Sequence, residues 1–476
     1  MGLAKLNSAA LSLKENYAQA MAVTAPLGSV VSTTTVAVAY AGGDIVLATL
    51  LAFIASAMWV YTLTIYSRKL ASPGGYYTFV YAAFRNRTLA FSEAIIELFS
   101  FILLNAVNVI AVYLMTSTIL RSYGLSELSP LLLPLVLLFS LLYPTVVSFA
   151  TNIQRLLSSI VLVVATLEVL VLFALFAISL MQGVKPEFLL PPFEASLGSI
   201  ALAFMIILVS LDGVGTATYL GEETRSPTNN VTRGMWLAFI LGGLSMVLGT
   251  YAMVALWPFG LAALSESEQP LIELVAMYGP LPAFLVFLIA TKSLLVSNVG
   301  TTLAAARILF NLARENAAPS FLQATNAHRQ PHYATLLVGL LTVAITFGFA
   351  EAFGYREAFV HLGVATGILW IVGRAINSAG APFLVVQMSR LVLPPARDVL
   401  VPLAATALNL GGLAISAMDM TPASTALLGG IGALAAVWYF FLGRFGVPGE
   451  LVVDESNNVI KLDEYLSSLS RGEKTV

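Results

Sequence analysis

Runs of about twenty mostly apolar residues, the length that crosses a bilayer, alternate with short polar segments from residue 21 to residue 443. Twelve runs are expected to be spans: 21–41, 45–67, 89–120, 130–149, 156–181, 197–220, 232–256, 281–306, 332–350, 357–388, 399–418 and 422–443. The pattern predicts an all-α membrane protein with 12 transmembrane helices. Residues 1–20 scatter polar side chains and lack an apolar core followed by a small-residue cleavage site, so they are expected to form a short cytoplasmic amphipathic lead-in. Residues 446–476 are polar and too short for an independent domain. They are expected to be a mostly solvated cytoplasmic tail, with packing on the cytoplasmic face as the alternative.

Composition agrees with the pattern. The chain is 58% hydrophobic and 10% charged, against about one-quarter charged in a soluble domain. Cysteine is absent, which excludes disulfides, thiolate zinc sites and thiol nucleophiles. His328, His332 and His361 are scattered, so no metal or cofactor is expected, and no Ser/His pair or acidic dyad at matched depth points to an enzyme. A net charge of -2 carries no nucleic-acid footprint. Twelve is even, so both termini share a side. With the N-terminus inside, the outer loops hold only Arg121, Lys185 and Arg356 of the basic residues, which places both termini in the cytoplasm of a protein in the cell membrane.

Two spans are interrupted. Span six carries 210-SLDGVGTATYLGEETRSP-227, with Asp212 past its middle, where an unpaired charge costs several kcal/mol, and with Gly213 and Gly215, each weakening a helix by about 1 kcal/mol. Span one carries 23-VTAPLGSVVSTTTVAVAYAGG-43, where Pro26 removes a backbone donor and Gly28, Ser29, Ser32, Thr33, Thr34 and Thr35 crowd the midplane. Unwound backbone in a bilayer is tolerated where it lines a cavity or is buried in protein. Close helix packing is the other reading of the glycines, and back-bonding to the preceding turn is the other reading of the hydroxyls. Breaks in the first span of each half, spans one and six, point to an inverted-repeat transporter of five spans plus five, with two added.

Three segments also carry a resemblance. The stretch 210–234 is similar to the sixth-span signature of the amino acid–polyamine–organocation (APC) permeases, Ser72-Pro73-Gly74-Gly75-Tyr76-Tyr77 is similar to their loop after span two, and 307-RILFNLARENAAP-319 resembles their segment after span eight. The resemblance implies a five-plus-five inverted repeat (a LeuT-like fold) with discontinuous helices 1 and 6, repeats at about 21–181 and 197–388 in a transport core of 21–390, and spans 11–12 at 399–443. It implies an amino acid or related amine as substrate and alternating access around spans one and six. Carried over by position, Gly28 to Thr34 (Gly28, Ser29, Ser32, Thr33, Thr34) would hold the substrate carboxylate. Val209, Leu211, Asp212, Gly213 and Gly215 would hold the amino group and side chain. The family's glycine motif in span one is absent: Gly28-Ser29 or Ser32-Thr33-Thr34 fills its register. Val209 stands where many members carry an aromatic gate. Asp212 either meets the substrate ammonium or turns away and holds the break open.

Midplane charges bear on energy coupling. Glu168 in span five and Lys292 in span eight are expected to meet beside span one, with the ammonium standing where sodium-driven relatives bind the ion and Glu168 as its partner or proton acceptor. This implies proton-coupled uptake. A fixed buried ion pair, which would make the protein an exchanger, and a sodium site at Ser293 and Ser297 are the alternatives, as is an amino acid sensor that moves nothing. Arg374 in span ten is expected to pair with an acid or with Asn105 and Asn108. Glu93 and Glu97, and Glu222, Glu223 and Arg225, are expected mostly as solvated interface charge, with Arg85, Arg87 and Arg155 as their inner-gate partners otherwise. Segment 257–280 is expected to form an outer lid helix around Leu271 to Tyr278, and His361 a polar or gating residue.

Overall fold

In a computed structural model, residues 5–158, 162–189, 193–388, 394–417, 420–454 and 456–470 are described. The first span is three helices, α1 (Leu13–Thr24), α2 (Pro26–Val31) and α3 (Thr33–Ala41), and α4 (Ile45–Ser67) returns across the same thickness. After α5 (Tyr76–Phe84) come α6 (Arg87–Ser122), α7 (Ser129–Ala150), the short α8 (Ile153–Leu156) and α9 (Leu162–Met181). The second half runs through α10 (Leu197–Leu211), α11 (Pro227–Ala238), α12 (Leu244–Leu256), two short helices α13 (Leu261–Glu266) and α14 (Pro270–Ala276), then α15 (Pro280–Arg314), α16 (His332–Phe353) and α17 (Tyr355–Met388). Helices α18 (Ala396–Ser416) and α19 (Pro422–Phe441) close the membrane part.

Among the described residues ten helices are long and apolar enough to cross a membrane. Length alone does not return the expected twelve, for two reasons. Pro26 chops the first span into pieces of at most twelve residues, and the described apolar part of the fifth is the shorter stretch Ala165–Met181. Burial separates a core from a rim: the most apolar window of α6 is 94% buried, whereas those of α16 and α19 are 17% and 11%. The exposed faces of these rim helices are leucine and phenylalanine, including Leu340, Phe347, Leu434 and Phe440, as a surface solvated by lipid requires.

The two breaks differ in kind. Pro26 at the first position of α2 has no N–H to give the preceding turn, and a residue before proline is pushed out of the α region. Ala25 accordingly takes a left-handed conformation (φ 41°, ψ 65°), one that L-residues adopt at a cost. A second interruption at Ser32 (φ -117°, ψ -89°) separates α2 from α3. Span six does not unwind as expected. It continues beyond Leu211 as a 3₁₀ helix over Asp212–Glu223, a length unusual for that geometry. Its glycines serve close approach: a Cβ on Gly213 would sit 2.9 Å from the backbone nitrogen of Thr24, and one on Gly215 would sit 1.9 Å from the Tyr76 hydroxyl.

The described terminal segments meet on one face of the bundle, and the C-terminal one is docked there, the alternative to a solvated tail. Strands β1 (Leu451–Val453) and β2 (Val459–Lys461) form a hairpin followed by α20 (Leu462–Ser470). Val453 N–H donates to the Ala71 carbonyl (2.9 Å), Asn457 reaches the Thr224 carbonyl (2.7 Å), and the Ser8 hydroxyl donates to the Asn457 carbonyl. Periodicity cannot reveal this because a three-residue strand has none. At its centre Glu315, just beyond α15, accepts from the Gly449 and Leu451 amides (3.0 and 3.2 Å) and from the Tyr77 hydroxyl (3.0 Å).

Burial outweighs those donors and pushes the Glu315 carboxyl from its ordinary 4.5 up to about 8. A carboxyl that holds its proton more tightly when docked favours docking most below about pH 4.5, and that contribution is lost as pH rises through about 8. Hydrogen exchange of the hairpin amides, corrected for intrinsic rate, is therefore expected to show weaker protection at about pH 9 than at about pH 5. In Glu315→Gln this pH difference disappears; a variant that keeps it would mean another group controls the tail.

Candidate functional site

The α1–α2 break is held by four polar side chains. Leu27 N–H at the start of α2 donates to the Glu168 carboxylate of α9 (3.2 Å), and Gly28 N–H donates to the Ser293 hydroxyl of α15 (3.1 Å). Ser293 in turn hydrogen-bonds Glu168. Ser29 turns its hydroxyl back onto the Thr24 carbonyl (2.6 Å), a group the break would otherwise leave free. Thr33, opening α3, meets Ser210 near the end of α10 (2.6 Å between hydroxyls), so the two interrupted spans touch at their interruptions. Ser29, Ser32, Thr33, Thr34, Val209 and Leu211 are all buried, and the Thr34 hydroxyl has no hydrogen-bond partner. A Cβ on Gly28 would lie 2.6 Å from the Ser293 oxygen, so this glycine is what lets the backbone amide reach it.

Lys292 is not part of this arrangement. It is exposed on α15, one position from buried Ser293, and no ion pair joins it to Glu168. On a helix, adjacent residues face directions 100° apart, so Ser293 facing span one turns Lys292 outward. Position along the chain does not give the direction in which a helical residue faces; the packing of α15 does. Ser297 likewise faces α6, where it accepts from Asn108 (3.2 Å). Asn105 and Asn108 bond Thr302 and Asn298 of α15 and leave Arg374 to other partners.

Arg374 of α17 is fully buried and is the centre of a second cluster. Its guanidinium pairs with Glu97 of α6, lies 3.6 Å from the Asp212 carboxylate and faces three aromatic rings: Trp370 at 4.4 Å, Tyr76 at 4.7 Å and Trp59 at 4.9 Å from centroid. Ser56 of α4 donates to Asp212 (2.5 Å), Tyr219 donates to Glu97 (3.3 Å), and Asn377 donates to Glu93. Glu93 and Glu97, expected as solvated interface charge, are therefore interior groups, and Asp212 is turned toward a guanidinium. Their spacing of four places both carboxylates on one face of α6; that face turns inward because α6 is buried all round, which hydropathy does not report. One side of Glu93, of Asn377 and of Arg374 has no protein hydrogen-bond partner, nor have the Trp59 and Trp370 indole N–H groups and the Tyr76 hydroxyl.

On the face carrying the termini, Arg307 donates twice to Glu223 (2.7 and 2.5 Å) and Arg314 pairs with Glu222 (2.8 Å). Both pairs bridge α15 to the end of span six, and all four side chains are buried. Leu6 N–H caps Glu222 from the N-terminal segment (3.0 Å). Of the partners suggested by sequence, Arg85 pairs instead with Asp463 of the tail; Arg225, grouped there with Glu222 and Glu223, donates to the Ala9 carbonyl. On the opposite face, α13 and α14 cover α2 and α3 with Leu271, Ile272, Leu274 and Val275 buried. His361 bonds Thr421 (3.1 Å).

The geometry can be set beside known proteins. The sequence profile of the amino acid permease family matches residues 17–442. Over 176 residues the chain is 27% identical to a Pseudomonas aeruginosa protein named "Probable GABA permease", covering 36% of this chain and 35% of that one. Over 160 residues it is 24% identical to the vacuolar cationic amino acid transporter 4 of Arabidopsis thaliana, covering 33% of this chain and 26% of that one. The chain thus spans about a third and a quarter of the lengths of these two relatives. The profile match takes in both interrupted spans, the Arg374 cluster and α19, and on it the chain belongs to the amino acid permease family of the APC superfamily, a family of transporters and not of enzymes.

Proposed function

We propose that this protein is a secondary active transporter that carries an amino acid or related amine across the cell membrane by alternating access, with proton-coupled uptake. The reading keeps twelve spans, a five-plus-five inverted repeat and cytoplasmic termini. The observation that carries it is the contact between the two spans, with Thr33, just after the Ser32 interruption of span one, on Ser210, just before span six turns 3₁₀. Hydroxyls and backbone that leave the helical ladder there are the groups a zwitterion needs, donors for its carboxylate and acceptors for its ammonium. Gly28, Ser29, Ser32, Thr33 and Thr34 supply the first set and Val209 to Gly215 the second.

Coupling is assigned to Glu168. What faces it from span one is an N–H, with a second N–H on Ser293. Donors repel a cation, which favours a proton over sodium at this place. A carboxylate accepts the Leu27 amide well; a protonated carboxyl accepts it poorly. Proton uptake at Glu168 would thus loosen α9 from span one, and proton loss would restore the latch. Movement of span six also has to break the Arg374–Asp212 contact, which ties it to α17, and the pairs Arg307–Glu223 and Arg314–Glu222, which tie it to α15. With all of these made, the face carrying the termini is closed.

Two outcomes test this. In proteoliposomes, an inward proton gradient is expected to drive accumulation of at least one member of a panel of radiolabelled amino acids that includes 4-aminobutyrate, lysine and arginine. Glu168→Gln is expected to abolish the response to the gradient while retaining counterflow. Transport that ignores the gradient and needs internal amino acid in the wild type would make the protein an exchanger and Glu168 a structural group. Separately, Arg374→Met leaves buried carboxylates unpaired, a change worth about 3–5 kcal/mol. It is expected to lower the unfolding temperature and abolish uptake, whereas Arg374→Lys, which keeps charge but not the planar stacking, is expected to fold and to transport more slowly.

A further inference from the structure

Beside the tail, where α4, α11 and α18 come together, lies a basic cleft that the transport reading does not use. A cavity of about 350 Å³ is lined by Tyr61, Thr64, Arg68, Lys69, Trp236, Arg397 and Asp398 among others. A second, of about 440 Å³, shares Arg68 and adds Thr228, Asn229, Thr232 and Arg233. Four cations thus face one carboxylate, and that carboxylate is occupied: Asp398 accepts the Tyr61 hydroxyl (2.5 Å) and lies 3.8 Å from Arg397. Among the described residues the side chains of Arg68, Lys69 and Arg233 make no ion pair and no hydrogen bond. Like charges lining one cleft repel one another, and an anion seated among them offsets that repulsion.

The position of the cleft identifies the source of that anion. The face of α11 bearing Arg233 continues as exposed Leu237 and, past the end of α11, as exposed Ile240 and Leu241, then Leu244 at the start of α12. On α18 the face bearing Arg397 continues as exposed Leu400 and Leu403. Trp236, whose indole N–H donates to Thr64 (2.9 Å), and Tyr61 stand at the level where charge gives way to hydrocarbon, as interfacial aromatic residues do. A ligand seated here has its charge among arginines and its body along leucines. A free phosphate would leave the leucines unused.

We propose that the Arg68–Arg233–Arg397 cleft binds a phosphate-bearing anion, seated there as the headgroup of an anionic phospholipid whose chains lie along α11 and α18. Each basic side chain near an anionic headgroup strengthens binding about fivefold, so charge removal is the readout. The side chains of Arg68, Arg233 and Arg397 make no hydrogen bond or ion pair with either interrupted span or with the buried ion pairs, and their substitution leaves those bonds in place. Lipid so held would also brace the end of α4 next to the tail, since Tyr465 of α20 donates to the Lys69 carbonyl (2.9 Å).

The test uses the full-length protein in detergent, with phosphatidylglycerol, phosphatidylcholine and inorganic phosphate as probes, read by native mass spectrometry and by unfolding temperature. Wild type is expected to retain phosphatidylglycerol in preference to phosphatidylcholine and to gain thermal stability from it. Arg68→Gln, Arg233→Gln and Arg397→Gln are each expected to lower that retention about fivefold without changing phosphatidylcholine binding, and Arg68→Lys to preserve it. Equal retention of the two lipids, or glutamine variants that hold phosphatidylglycerol as wild type does, would overturn the proposal. So would charge-dependent stabilisation by inorganic phosphate alone, because the site would then take a soluble anion.

Discussion

The constraint on which the rest depends is the burial of Arg374. A guanidinium in the middle of a bilayer protein is tolerable only with partners on every side, because neither lipid nor apolar side chains solvate it. Its partners come from several elements: Glu97 from α6, Asp212 from span six, Trp59 from α4 and Tyr76 from α5. Satisfying one charge therefore fixes how four helices approach α17. The aromatic rings supply cation–π attraction where hydrogen bonds do not reach, which is why the cage contains three of them.

Around that centre the protein separates fixed contacts from contacts that can be exchanged. Asn105 and Asn108 of α6 bond repeatedly to α15, through neutral groups that no change of protonation disturbs. Spans one and six are linked by neutral bonds too, such as Gly28 to Ser293, but also by carboxylates against amides or guanidinium groups. These include Glu168 on Leu27, Asp212 near Arg374, Glu222 on Arg314 and Glu223 on Arg307. Such bonds are about twice as strong as neutral ones when made, and they depend on charge. A mechanism that rocks two broken spans against the other helices needs this division, and on the face with the termini the tail adds a third layer through Glu315.

The 3₁₀ course of Asp212–Glu223 serves the same end. Three residues per turn stack side chains at every third position, so Asp212, Gly215, Thr218 and Gly221 share a line. Gly215 on that line lets Tyr76 press against the backbone, and Gly221 lets the Ser72 carbonyl do so. Tightening the helix, rather than opening it, keeps its carbonyls partnered while it passes α1 and α5.

The sequence by itself determined the class of the protein, because apolar runs of span length in a chain that is 10% charged have no other stable environment. It also determined where the first span breaks, since Pro26 acts locally, and the motifs after spans two, six and eight pointed to the family; at Asp212-Gly213 it marked a change that proved to be of helix type and not an unwinding. Tertiary structure decided every pairing of charges. Depth in the bilayer can be counted along a chain, but facing depends on how each helix is rotated against its neighbours. Lys292 and Ser293 are adjacent, and packing sends one outward and the other to Gly28. Glu93 and Glu97 have the spacing of an ordinary solvated helix face, and only the burial of α6 turns them into partners of Arg374 and Asn377. The docked tail was illegible for a related reason: its grip on Glu315 is made by backbone amides, which every sequence has.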